Sequence, residues 1–161
     1  MNSDITKYRF SNVIALAFWI LLTFAVAAFA SQFQPDTWYT TIAKPSWTPP
    51  GWIFGPVWSL LYLSMSISVW FIWNQRKTLN VNIPLLLYII QLILNGLWSY
   101  IFFNQHQIGI ALIDIVILVV LISIITVRFW QISKTAGILF IPYLVWVSFA
   151  TVLNFEIWRI N

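Results

Sequence analysis

Apolar runs of about twenty residues alternate with short polar breaks along almost the whole chain. The runs cover roughly residues 12–31, 53–73, 83–103, 109–129 and 136–157. An α-helix needs about 20 predominantly apolar residues to cross the hydrocarbon core of a bilayer. The pattern therefore predicts an all-α fold: an integral membrane bundle of five transmembrane helices, forming one domain over residues 1–161. The breaks carry helix punctuation. Gln34-Pro35-Asp36 ends the first span and Asn74-Gln75-Arg76-Lys77 the second. Asn80-Val81-Asn82-Ile83-Pro84 opens the third, with Pro84 tolerated in the first turn. Asn104-Gln105-His106-Gln107 and Ser133-Lys134-Thr135 separate the last three. Lys7 and Arg9 before an apolar run resemble the start of a secretory signal, but the run from Val13 to about Ala30 is long enough to span. It reads as the first helix of the mature chain.

Composition sharpens this picture. The chain is 61% hydrophobic and 7% charged, against about 25% charged residues in soluble domains. The formal charge of +4 comes from basic residues scattered singly or in pairs, so no cluster tracks a nucleic-acid backbone. The charge is topological instead. With five spans, Lys7, Arg9, Arg76, Lys77, Arg128 and Lys134 fall on one side and Lys44 and Arg159 on the other. In a bacterial inner membrane this places the N-terminus in the cytoplasm and the C-terminus outside. Cysteine is absent, which excludes disulfides and thiolate chemistry.

The link at 34–52 is the longest. It holds Trp38-Tyr39 and then Lys44-Pro45-Ser46-Trp47-Thr48-Pro49-Pro50-Gly51-Trp52. Prolines at this density predict an ordered cover over the bundle. The plainer alternative is an interfacial anchor, since Trp and Tyr favour the headgroup layer. Unusual residues gather under this loop. Gln91, Asn95 and Ser99 are spaced by four and share a helix face, with Trp98 and Phe102 beside it. Asp114 is the one acid well inside a span. Tyr143, Trp146, Ala150, Leu153 and Asn154 line the last helix, and Trp58 lies in the first turns of the second. Amides and a carboxyl are costly against lipid and should face inward. Helix–helix hydrogen bonding among Gln91, Asn95, Asp114 and Asn154 would explain them structurally. Trp58, Trp98 and Trp146 instead suit a flat aromatic or ring-shaped ligand. Trp70, Trp73, Trp130 and Trp158 read as belt residues at span ends. His106 reads as a solvated loop residue, with haem ligation as the remote alternative. No metal-ligand spacing, paired carboxylates, serine–base pattern or phosphate loop is present. Pro142 should bend the last helix.

These motifs in order resemble one family. They are Trp38-Tyr39; Lys44-Pro45-Ser46-Trp47-Thr48-Pro49-Pro50; Pro56-Val57-Trp58; Gln91-Leu92-Ile93-Leu94-Asn95-Gly96-Leu97-Trp98-Ser99; Pro142-Tyr143-Leu144-Val145-Trp146; and Phe149-Ala150-Thr151-Val152-Leu153-Asn154-Phe155-Glu156-Ile157-Trp158-Arg159. The chain after about residue 10 is similar to the translocator proteins, also called tryptophan-rich sensory proteins or peripheral-type benzodiazepine receptors. The resemblance implies five helices around a pocket closed by the first loop, usually in a homodimer. It implies porphyrin (protoporphyrin IX or haem) as ligand rather than required cofactor, with sterols and isoquinoline or benzodiazepine ligands in some members. Carried over, the pocket residues are Trp38, Trp47, Phe54, Gly55, Val57, Trp58, Asn95, Trp98, Asp114, Tyr143, Trp146, Ala150 and Leu153. Asn95 or Lys44 is a candidate partner for a propionate. Two departures stand out. The family's sterol motif is represented by Leu153 and Arg159, but Phe155 replaces its tyrosine. Ile110 stands where some members have a pocket tryptophan.

The expected function is porphyrin binding in tetrapyrrole handling, transport or stress sensing. One alternative is light-dependent porphyrin degradation, in which Trp58 and Trp146 would act beside the bound ring. A remote alternative is a small cation exporter using Asp114 to carry protons.

Overall fold

The computed structural model describes the backbone of residues 2–161 and the side chains of residues 12–161. Lys7 and Arg9, which enter the charge count, lie outside the described side chains. Six α-helices follow in chain order: α1 (Asn2–Ala30), α2 (Thr37–Thr41), α3 (Gly51–Asn74), α4 (Asn82–Ser99), α5 (Ile108–Ile132) and α6 (Lys134–Ile160). All but α2 are long and apolar enough to cross a membrane. The expected spans are thus present: α1 begins ten residues earlier than expected, and the other four are longer by no more than about three residues at either end.

Two features were not foreseen. The first loop contains the short helix α2, started by Asp36, whose Oδ1 accepts from the Tyr39 N–H at 3.2 Å. This is ordinary N-cap chemistry. In addition, α4 runs on into a π-helical turn over Tyr100–Asn104, closed by the Gln105 N–H bonding to the Tyr100 carbonyl at 3.0 Å. That wider turn brings the end of α4 and its aromatic residues under the loop.

The five long helices close into a ring. Helix α1 packs on α3 and α4, α5 on α4 and α6, and α3 on α6, so the order around the ring is α1, α3, α6, α5, α4. The α5–α6 pair is the most extensive contact, joined by Ser133 alone, in extended backbone. Its closeness depends on Gly137: a Cβ there would lie 2.7 Å from the Trp130 Cα. Helices α3 and α6 are tied by the Ser64 hydroxyl donating to the Leu139 carbonyl at 2.6 Å and Ser68 to the Ala136 carbonyl at 2.7 Å. Two core clusters result. The larger fills the ring with Met65, Tyr88, Ile122, Phe129, Phe140 and their neighbours. The smaller, at the end of the bundle beneath the first loop, gathers Phe102, Ala111, Leu153 and Ile157 under Trp38, Tyr39 and Ile42.

Candidate ligand-binding site

The first loop is a fastened cover. The Lys44 ammonium donates to the carbonyls of Tyr39 and Ile42 at 2.6 and 2.8 Å and sits 4.8 Å above the Tyr39 ring. Asn161, just past α6, accepts from the Ala43 N–H at 2.9 Å and donates to the Ala43 carbonyl at 3.0 Å. Trp47 reaches across to Phe149 of α6, with ring centroids 5.8 Å apart. At the far side His106 stacks on Trp38 at 4.2 Å, and its Nε2 lies 3.2 Å from the Asp36 carboxylate. His106 is therefore not simply solvated. Its φ of 55° is uncommon for a residue with a Cβ, and the stack and the carboxylate hold it there. The backbone N–H of Tyr39, with His106 assisting, keeps the Asp36 carboxyl below its ordinary value, while burial pushes the Tyr39 phenol up.

Beneath the cover the site residues form three groups. In the first, a hydrogen-bond relay crosses the ring. Tyr62 of α3 donates to Asn95 Oδ1 at 2.6 Å, Asn95 Nδ2 donates to the Tyr143 hydroxyl at 3.1 Å, and that hydroxyl donates to Gln91 Oε1 at 2.8 Å. Trp58 stacks on Tyr62 at 5.4 Å and meets the edge of Tyr143 at 6.2 Å. In the second group Trp98 stacks on Phe102 at 5.1 Å and donates to Asn154 Oδ1 at 3.0 Å. Asn154 in turn donates to the Ile108 carbonyl at 3.1 Å. Leu153 and Trp38 pack into the same cluster. The third group lies along the α3–α6 seam. Phe54 meets Trp146 at 5.8 Å, and Trp146 meets Phe149 at 5.7 Å. An open apolar groove of about 610 Å³ runs here, lined by Val57 and Leu61 of α3 and by Ile141, Pro142, Val145, Trp146 and Phe149 of α6.

Helix–helix bonding accounts for Gln91, Asn95 and Asn154 but not for Asp114. That residue is 8% exposed, and its Oδ2 is buried with no hydrogen-bond partner among the described residues. Trp146 Nε1 and Gln91 Nε2 are likewise buried and unpartnered. Ala150 packs against the main core. Gly55 lies on an exposed face of α3 with open space where a Cβ would stand. Ile110 is 54% exposed and points away from the buried face of α5. Asn95 gives one of its two N–H donors to the relay, and Lys44 two of its three to the cover. Leu153 is buried, whereas Phe155 and Arg159, four residues apart, share an exposed face of α6, so the three sterol-motif positions do not form one surface.

Sequence reasoning missed Tyr62 and Phe149. The signal for each was spacing: Tyr62 is four residues from Trp58 and Phe149 three from Trp146, on the same helix faces. Two belt assignments also change. Trp70 Nε1 donates to the Asn12 carbonyl at 2.9 Å, and Trp73 packs edge-on against Trp19 with its Nε1 buried. Trp130 and Trp158 remain exposed, as a belt requires.

This arrangement can be set beside known proteins. The chain is 40% identical over 157 residues to the Tryptophan-rich protein TspO of Chlorobaculum tepidum, covering 93% of this chain and 98% of that one. It is 41% identical over 126 residues to the human Translocator protein, covering 77% and 75% respectively. It is 35% identical over 147 residues to the Tryptophan-rich sensory protein of Cereibacter sphaeroides, covering 88% and 91%. The family model for TspO/MBR proteins matches residues 14–159, a stretch that takes in all five spans, the fastened cover and each of the three residue groups beneath it. A multi-pass membrane protein with these motifs in this order belongs to the TspO/MBR family.

Proposed function

We propose that this chain binds porphyrins in the outer half of the bundle, beneath the first loop. The observation that carries the reading is the pairing of rings with orphaned polar atoms. Trp58, Trp98, Trp146 and Phe54 offer flat apolar area, which suits a macrocycle. Asp114 Oδ2 and Trp146 Nε1, one an acceptor and one a donor, lie buried there without partners among the described residues. Buried polar groups are normally paired, so a bound molecule with its own polar atoms would complete them. The pyrrole N–H groups and propionates of a porphyrin supply both kinds. The rings are in mutual contact, so entry of a ligand requires some of them to swing aside. The same reading includes a homodimer and, in a bacterial inner membrane, a cytoplasmic N-terminus with the cover facing outward.

The test is a titration of detergent-purified protein with protoporphyrin IX in the dark, following tryptophan quenching and the Soret band. The expected result is saturable, stoichiometric binding, weakened about tenfold or more by Trp98→Ala or Trp146→Ala, which corresponds to about 1.4 kcal/mol of lost ring contact. Absence of saturable binding by folded protein would overturn the reading.

A further inference from the structure

We propose that the ligand reaches its site sideways from the bilayer, through the groove between α3 and α6, while the first loop stays shut. The proposal rests on the ring-ligand reading above and adds the route and the partition state of the ligand: it is taken up as a membrane-dissolved molecule.

Four fastenings close the aqueous end. They are Lys44 on two loop carbonyls, the Asn161 side chain on both backbone groups of Ala43, the stack of His106 on Trp38 with its hydrogen bond to Asp36, and Trp47 against Phe149. The Lys44 bonds stiffen the loop itself, and the other three join it to the end of α6, the α4–α5 link and the face of α6, so opening it means breaking contacts to several elements at once. The α3–α6 seam is different. On the loop side of the Ser64 and Ser68 bonds to α6, the seam carries the groove of about 610 Å³. That volume lies within the range of pockets that hold drug-sized ligands. Val57 and Leu61 stand six and ten residues into α3, about 9–15 Å below its start at 1.5 Å per residue. The groove therefore opens to acyl chains rather than to water. All seven of its lining residues are apolar or aromatic.

Trp146 links the groove to the interior. It lines the groove, and its edge-on partner Phe54 and neighbour Phe149 belong to the same seam. Its Nε1 has no partner. A flat apolar molecule entering here meets an aromatic face first and an indole N–H next, so the preferred occupant carries a hydrogen-bond acceptor on its rim. Pro142 supports the opening: it lacks an N–H to donate back along α6, which loosens the helix at the level of the groove.

The chain has no cysteine, so both routes can be blocked chemically after folding. In one protein, Ala43→Cys with Asn161→Cys is bridged by a short bis-thiol reagent to lock the cover. In another, Val145→Cys is labelled with a bulky maleimide that fills the groove. Both are reconstituted in lipid nanodiscs, and the association rate of protoporphyrin IX is followed by tryptophan quenching. The expected result is a rate within twofold of the unmodified protein for the locked cover, and a rate at least tenfold slower for the filled groove. Slowing by the locked cover, or an unchanged rate with the groove filled, would overturn the lateral route while leaving porphyrin binding intact. Loss of saturable binding in the unmodified protein would overturn the porphyrin reading, and this proposal with it.

Discussion

Tyr143 and Asp114 lie close in the fold and differ in what they do for it. The Tyr143 hydroxyl is used twice, accepting from Asn95 and donating to Gln91. Tyr143→Phe leaves both amides short of a partner in a low-dielectric interior, where unsatisfied groups cost more than a bond gains. A single interhelical hydrogen bond in a membrane protein contributes roughly 0.6 kcal/mol. The expected loss is larger, about 1–2 kcal/mol, read as a lower unfolding midpoint in detergent. Asp114 should behave in the opposite way. Its Oδ2 bonds to nothing, and a carboxyl inside a span is expensive. Asp114→Leu is expected to raise the unfolding midpoint and to weaken porphyrin binding. Residues kept at a cost to stability mark function. If stability falls with that change, Asp114 has a structural partner and its place in the site is lost.

At the scale of helices, glycine sets the closest approach. Gly137→Ala puts a Cβ 2.7 Å from the Trp130 backbone, which no side-chain rotation relieves. Overpacking of this kind costs roughly 1–3 kcal/mol, and the effect should appear as a lower midpoint. Gly55→Ala, with open space around it, should instead stabilise α3 by about 0.5–1 kcal/mol. Equal effects from the two changes would remove the close α5–α6 contact as the cause. Elements were also where the sequence was most readable. Long apolar runs bounded by Asn, Gln, Pro and charge placed all five spans, and every end but the start of α1 to within a few residues, because a bilayer demands long uninterrupted helices. The π turn was not readable, since Tyr100–Asn104 has the composition of ordinary helix. Nor was α2, whose five residues are shorter than any periodicity. The face carrying Gln91, Asn95 and Trp98 could be read from spacing, but their partners could not. Tyr62 and Tyr143 meet Asn95 only because α3 and α6 both border the ring interior that α4 also faces.

For the whole molecule, the cover couples the loop to the far ends of three helices, and one of its fastenings titrates. Asp36 serves twice, as N-cap of α2 and as partner of His106. Its carboxyl is held below its ordinary value of 3.8. A group lowered in the fold contributes stability that is complete above the unfolded value and is lost as pH falls through the folded one. Acid should therefore release the α2 end of the cover at pH values below 3.8, while the Asn161–Ala43 bonds and the Trp47–Phe149 contact, which do not ionise, persist. Pepsin is active there, and Trp38-Tyr39 offers it aromatic residues to cut between. In the wild-type protein, cleavage within residues 37–50 should rise steeply as pH is lowered below that value. In Asp36→Asn the amide still caps α2 but neither titrates nor pairs with His106 as a charge. Its cleavage, after correction for the activity of the protease, should be faster than wild type at pH 5 and flat with acidification. A wild-type protein with the same flat profile would mean that the Asp36 carboxylate does not hold the cover, leaving the Lys44, Asn161 and Trp47 contacts as its fastenings.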